Sequence, residues 1–128
     1  MEIVLLDTNI LIEILKGNPE TIASVESLHA ELVLSSISVM ELYYGAKNKA
    51  ELRKLEKFVS LFRVVEIDET ISSTATQLVK RYAKSHTLDI PDSLIAATAL
   101  KLGSGCRLFT YNRKDFKFIE GLTLVVGE

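Results

Sequence analysis

The stretch EIVLLDTNILIEILKG, residues 2–17, decides how this chain folds. Residues 2–6 are a short run of leucine and β-branched side chains, which reads as a buried strand. Asp7, Thr8 and Asn9 follow at once and open an apolar helical stretch over 10–16, which Gly17 and Pro19 bring to a stop. Strand, acid, helix is therefore the first unit of the chain.

The same alternation continues outward from it. Residues 32–35 are a second strand, and 38–47 a helix in which Val39 and Met40 precede Tyr43 and Tyr44 at i,i+4 spacing. Leu52, Leu55, Val59 and Phe62 mark one face of a third helix, with Lys and Glu on the other. Residues 63–67 form a strand, Asp68 caps the next helix, and Ile71, Ala75, Leu78 and Tyr82 are its buried stripe. Pro91 begins a helix running to Leu102 with hardly any polar face, which predicts burial on all sides. Residues 107–110 and 122–126 supply two more strands, separated by the polar segment 111–117.

Strands joined through helices imply a mostly parallel sheet of about four or five strands with helices on both faces, because a parallel connection needs a long crossover. Such sheets bind ligands beyond the carboxyl ends of their strands. Asp7, the segment 36–41 and the segment 112–115 each follow a strand, so they converge at one edge.

The composition fits one domain. The 128 residues, 48% hydrophobic and 25% charged, suffice for a single core and contain no repeat, linker or low-complexity tract. No apolar run approaches the ~20 residues needed to span a bilayer, and Glu2 stands where a secretory signal would be basic, so a cytoplasmic location is expected. Cys106 is alone, which excludes an internal disulfide and a thiolate metal site and predicts a packed core residue. His29 and His86 lie far from the acids in sequence and read as surface or helix-end residues. A net charge of −2 and a pI near 5.7 argue against a broadly basic surface for nucleic acid. That objection is met only if acids gather in one cleft and take up divalent cations, which reverse the local charge that a phosphate feels.

Each acid in question also has an ordinary explanation. Asp7 suits the N-cap of the first helix. Glu41, three residues after Ser38, fits a capping box. Asp92 favours the helix macrodipole just after Pro91, and Asp115 fits a solvated turn. These explanations leave unexplained why the acids of separate segments converge. Like charges brought together raise one another's pKa, so such a cluster persists where a cation neutralises it, and all-oxygen donors point to Mg²⁺ or Mn²⁺.

Four ordered motifs carry a family resemblance: Asp7-Thr8-Asn9 after the first strand; Ser38, Glu41, Leu42 and Gly45; Asp92 with Ile95-Ala96-Ala97-Thr98-Ala99; and Thr110, Asn112, Asp115 and Phe116. Together they resemble PIN-domain proteins, in particular the VapC-type toxins of toxin–antitoxin pairs, over essentially the whole chain. The resemblance implies a three-layer α/β/α domain and an endoribonuclease in which Asp7, Glu41, Asp92 and Asp115 hold one or two Mg²⁺ or Mn²⁺ ions. It further implies that Thr8, Asn9, Ser38, Thr110 and Asn112 orient the acids or bound waters, and that an antitoxin and a second copy of the chain are partners. Asp89 is peripheral on this register. Arg107, Arg113, Lys114 and Lys117 flank the last motif and are candidate phosphate contacts, and Lys47, Lys49, Arg53, Lys54 and Lys57 make a second basic stretch; for each of them a solvated face is the readier explanation. Tyr43 and Tyr44 are candidate antitoxin contacts or simple packing residues.

Rival readings are weaker. An aspartate-nucleophile phosphatase needs a second acid two residues after the first, where this chain has Asn9. A nucleotide-binding module lacks its glycine loop, since Gly103-Ser104-Gly105 precedes a strand instead of following one. A non-catalytic PIN-like module binding RNA or protein is the alternative to the nuclease.

Overall fold

The computed structural model describes residues 2–126. In chain order the elements are β1 (Ile3–Leu6), α1 (Thr8–Leu15), α2 (Pro19–Glu26), β2 (Glu31–Ser35), α3 (Ser36–Tyr44) and α4 (Lys49–Val59). They continue with β3 (Arg63–Val65), α5 (Glu69–His86), α6 (Ile90–Leu102), β4 (Cys106–Phe109) and a 3₁₀ turn, Arg113–Asp115. The strands form one parallel sheet in the order β3-β2-β1-β4.

With right-handed crossovers, that order decides which face each helix covers. Building outward from β1 through β2 to β3 puts α1, α3 and α4 on one face, and returning past β1 to β4 carries α5 and α6 to the other. Successive strand residues serve opposite faces. Val4, Leu6, Leu34 and Phe109 pack with Ile10, Leu11, Leu42, Leu55 and Val59. Leu5, Val33 and Leu108 pack with Ile71, Ala75, Leu78, Ile95 and Ala96. Because both faces are covered, β1 reads as a continuous apolar run. The expected three-layer α/β/α domain is thus present, with α6 buried as predicted and its Ser93 and Thr98 hydroxyls satisfied by the carbonyls of Ile90 and Leu94.

Several local expectations are corrected. Pro19 does not merely end α1: it is the first residue of α2, a helix that periodicity misses because only Thr21 is buried on it. Asn18 caps α2, accepting from the Glu20 and Thr21 amides. The strand expected at 122–126 reduces to one bridge, Leu108 with Leu124, held by bonds from Leu108 N to Thr123 O and from Val125 N to Leu108 O. α1 begins at Thr8, α3 at Ser36 and α6 at Ile90, each earlier than its apolar pattern, because the capping side chain and not the first apolar residue sets a helix start. Phe62 lies past α4 and meets Phe58 edge-on. Cys106 is buried, and His86 ends α5 stacked on Phe118. Among the described residues no helix is long and apolar enough to cross a membrane.

Candidate acidic site

β1 lies between β2 and β4, where the direction of strand addition reverses, and the crevice at such a reversal opens at the carboxyl ends. Asp7 stands there as the first residue after β1. It is the N-cap of α1, with Oδ1 accepting from the Thr8 amide at 2.7 Å, so its ordinary explanation is correct as far as it goes. A capping acid is normally wet, however, and Asp7 is 4% exposed. Oδ2 accepts from Thr110 Oγ1 at 2.8 Å and from Asn9 Nδ2 at 3.3 Å, and the Asp7 amide donates to Phe109 O. Burial raises the Asp7 pKa, the Thr110 and Thr8 hydrogen bonds pull it down in part, and the charges of Glu41 and Asp115 raise it further.

Thr8 joins Asp7 to the second segment. Its hydroxyl lies 2.7 Å from Glu41 Oε1 and 2.8 Å from Ser38 Oγ. One hydroxyl carries one proton, which the carboxylate takes, so Ser38 is the donor to Thr8. The capping-box explanation of Glu41 is wrong, because Ser35 caps α3 through the Ile37 amide and Ser38 is a buried residue one turn farther along. Glu41 itself sits on the exposed rim.

Thr110 and Asn112 fix the third segment. Thr110 Oγ1 also accepts from the Asn112 amide, and Asn112 O accepts from the Asp115 amide in the 3₁₀ turn. Asn9 Oδ1 accepts from the Tyr111 amide at 3.2 Å, so one asparagine braces both Asp7 and the loop after β4. Asp92 comes from α6, capped by Asp89, whose Oδ1 accepts the Asp92 amide; Asp89 therefore has a structural duty. The Asp92 carboxyl is pushed up to about 7, by burial first and then by Asp89, Asp7, Asp115 and Glu41. Asp92, which only the family resemblance joined to the three segments expected to converge, thus lies in one field with Asp7, Glu41 and Asp115.

Among the described residues, no three or more acidic, histidine or cysteine side chains are placed so that they could hold a metal ion together. None of the four acids forms an ion pair among those residues either; the pairs found there join Lys16, Arg63, Arg81, Lys101 and Arg107 to other carboxylates. Hard oxygen donors in mutual repulsion, none of them ion-paired among the described residues, have the chemistry that suits a divalent cation such as Mg²⁺ or Mn²⁺.

The basic residues divide. Arg107 is not at this site: its guanidinium meets Glu2 at 3.0 Å on the opposite, amino-terminal edge of the sheet. The Arg113 guanidinium donates to Val125 O, while Lys114 and Lys117 are exposed beside Asp115. One feature had no sequence signal: Thr21 of the unforeseen α2 bonds the Tyr111 hydroxyl beside the acidic loop.

Comparison with known proteins agrees with this architecture. A family model described as the PIN domain matches residues 4–121. The chain is 32% identical to the tRNA(fMet)-specific endonuclease VapC of Salmonella typhimurium, over 94% of each chain. It is 33% identical to ribonuclease VapC10 of Mycobacterium tuberculosis, over 75% of this chain and 74% of that one. Among solved structures, DNA-bound VapBC from Salmonella typhimurium superposes with a TM-score of 0.83 at 31% identity, covering 98% of both chains. A toxin–antitoxin complex from Klebsiella pneumoniae gives 0.79 at 31% identity, covering 94% of this chain and 95% of that chain.

Proposed function

This chain belongs to the PIN domain family, and we propose from that premise that it is a metal-dependent endoribonuclease, the toxin of a type II toxin–antitoxin pair. The observation that carries the reading is the gathering of Asp7, Glu41, Asp92 and Asp115 at the carboxyl edge, braced by Thr8, Asn9 and Thr110 and without an ion pair among the described residues. Endonuclease and ribonuclease names among the relatives support the same activity.

Asp7, Glu41, Asp92 and Asp115 would hold one or two Mg²⁺ or Mn²⁺ ions. Bound there, the ions would supply Lewis acidity, lowering the pKa of water and neutralising charge that develops on the phosphate. The chain's own contribution is placement. Thr110 and the Thr8 amide fix both oxygens of Asp7 in a dry pocket, where electrostatic interactions are strong. Thr8 holds Glu41, with Ser38 behind it, and Asn9 and Asn112 lock the loop that carries Asp115. The donor set is carboxylates braced by hydroxyls and amides, and attack by water on the phosphodiester is the reaction that it serves. Lys114 and Lys117 reach the RNA backbone as it crosses the 3₁₀ turn.

Solved toxin–antitoxin complexes among the neighbours support an antitoxin partner. Its seat is the groove of 500 Å³ between α1, α3 and α4, where Ile12, Leu15, Leu42 and Leu55 are flanked by the charged Lys16, Glu41, Lys47 and Glu51. A helix laid there, with a cation turned toward Glu41, would block the acids. Homodimerisation accompanies this reading. The experiment is cleavage of total cellular RNA by purified, antitoxin-free protein, with Mg²⁺, with Mn²⁺ and with chelator, beside Asp7→Asn. Cutting that needs the ion and Asp7 is expected. Folded protein that binds RNA without cutting it would leave the non-catalytic module standing instead.

A further inference from the structure

We propose that the hollow between α2 and Tyr111 seats one unpaired base of the RNA, with the Tyr111 ring as its stacking face; this deepens the ribonuclease reading and rests on it. The hollow has a volume of 590 Å³ and is lined by Asn18, Glu20, Thr21, Ala23, Ser24 and Tyr111. That is within the range of about 300–1,000 Å³ of small-ligand sites.

Tyr111 differs from an ordinary surface aromatic. It is 42% exposed, yet its hydroxyl lies 2.6 Å from Oγ1 of Thr21, which is itself wholly buried. Its amide donates to Asn9 Oδ1, and its ring meets Phe109 edge-on with centroids 5.8 Å apart. By contrast Tyr44, 94% exposed, has no such tether among the described residues. An exposed ring already held at three points loses little freedom when a ligand stacks on it, which is how aromatic platforms gain affinity for bases.

Position and charge identify the occupant. Tyr111 directly follows Thr110, and Thr110 and Asn9 both bond Asp7, so whatever sits against the ring is held in fixed register with the acids. The lining contains the Glu20 carboxylate and no cation, which disfavours a phosphate and favours a base with its ribose, both rich in donors. Only a base out of its helix can present a face, so the segment recognised is single-stranded.

The test uses mixed-sequence single-stranded RNAs of about 12 nucleotides, each with one abasic position, and anisotropy to measure their Kd for Asp7→Asn protein with Mg²⁺. One position should weaken binding roughly 5- to 100-fold when its base is removed, and Tyr111→Ala should erase that penalty at that position alone. Tyr111→Phe, which keeps the ring and loses the Thr21 tether, should retain most of the penalty, with melting temperatures confirming that both variants fold. Equal penalties with and without the Tyr111 ring at every position overturn the subsite. If wild-type protein still cuts the parent RNAs in that case, the nuclease reading survives alone. A Tyr111-dependent penalty on RNA that wild-type protein never cuts would support the subsite and overturn the nuclease; RNA neither bound nor cut overturns both.

Discussion

The two edges of the sheet treat carboxylates in opposite ways. At the amino-terminal edge Glu2 pairs with Arg107 and Glu31 with Arg63, both pairs partly in water. At the carboxyl edge Asp7, Glu41, Asp92 and Asp115 share one field, and none of them has such a partner among the described residues. Folding alone rewards the first arrangement and opposes the second, since burying acids without counter-charge disfavours the ionised state. Uncompensated charge held by an ordered hydroxyl and amide network is the mark of a site.

The strongest way to break this contrast is Asp7→Asn set against Arg107→Ala. The first should lower RNA cleavage by roughly 10²-fold or more while the protein stays folded by melting temperature, because the lost hydrogen bonds to Oδ2 are offset by removal of a buried charge. The second, at the opposite edge, should leave cleavage within twofold of the unaltered protein.

Next in size is the response to pH and cation. Asp92 titrates near 7 in the fold against an ordinary value of 3.8, so the folded state holds its proton more tightly than the unfolded chain. Metal-free protein should therefore lose stability as pH rises from about 4 through 7 and level off above it. Mg²⁺, which competes with that proton, should raise the melting temperature more at pH 8 than at pH 5. Asp92→Asn should flatten the metal-free decline, and an unchanged decline would remove Asp92 as its source.

Thr8→Val should act through Glu41. It removes the hydroxyl between Ser38 and Glu41 and should slow cleavage by about tenfold, with a stability loss of roughly 1 kcal/mol measured by urea unfolding. The smallest effect belongs to the amino-terminal edge: a double-mutant cycle on Glu31 and Arg63 should give under about 1 kcal/mol, shrinking as salt is added.

Much of this was legible from residues. Residues 2–17 predicted a strand ending in an acid, and the repeated alternation predicted the parallel sheet and its two helical layers, because burial on both faces leaves continuous apolar runs in the strands. Asp7 and Asp115 were foreseeable at the carboxyl edge from their places after strands. α2 was not, since a helix with a single buried residue has no periodicity to betray it, and Pro19 reads equally as a stop and as a start. The strand expected at 122–126 had the right composition but too little partner, for β4 is only four residues long.

Sequence by itself determined the element types and which acids follow strands, because these depend on local patterns of burial and capping. Only the tertiary structure decided that Ser38 serves Thr8 and not Glu41, that Arg107 faces away from the acids, and that Thr21 tethers Tyr111. Those pairs lie 30, 105 and 90 residues apart, and contacts at such separations are set by how strands order in the sheet. No local propensity encodes that order.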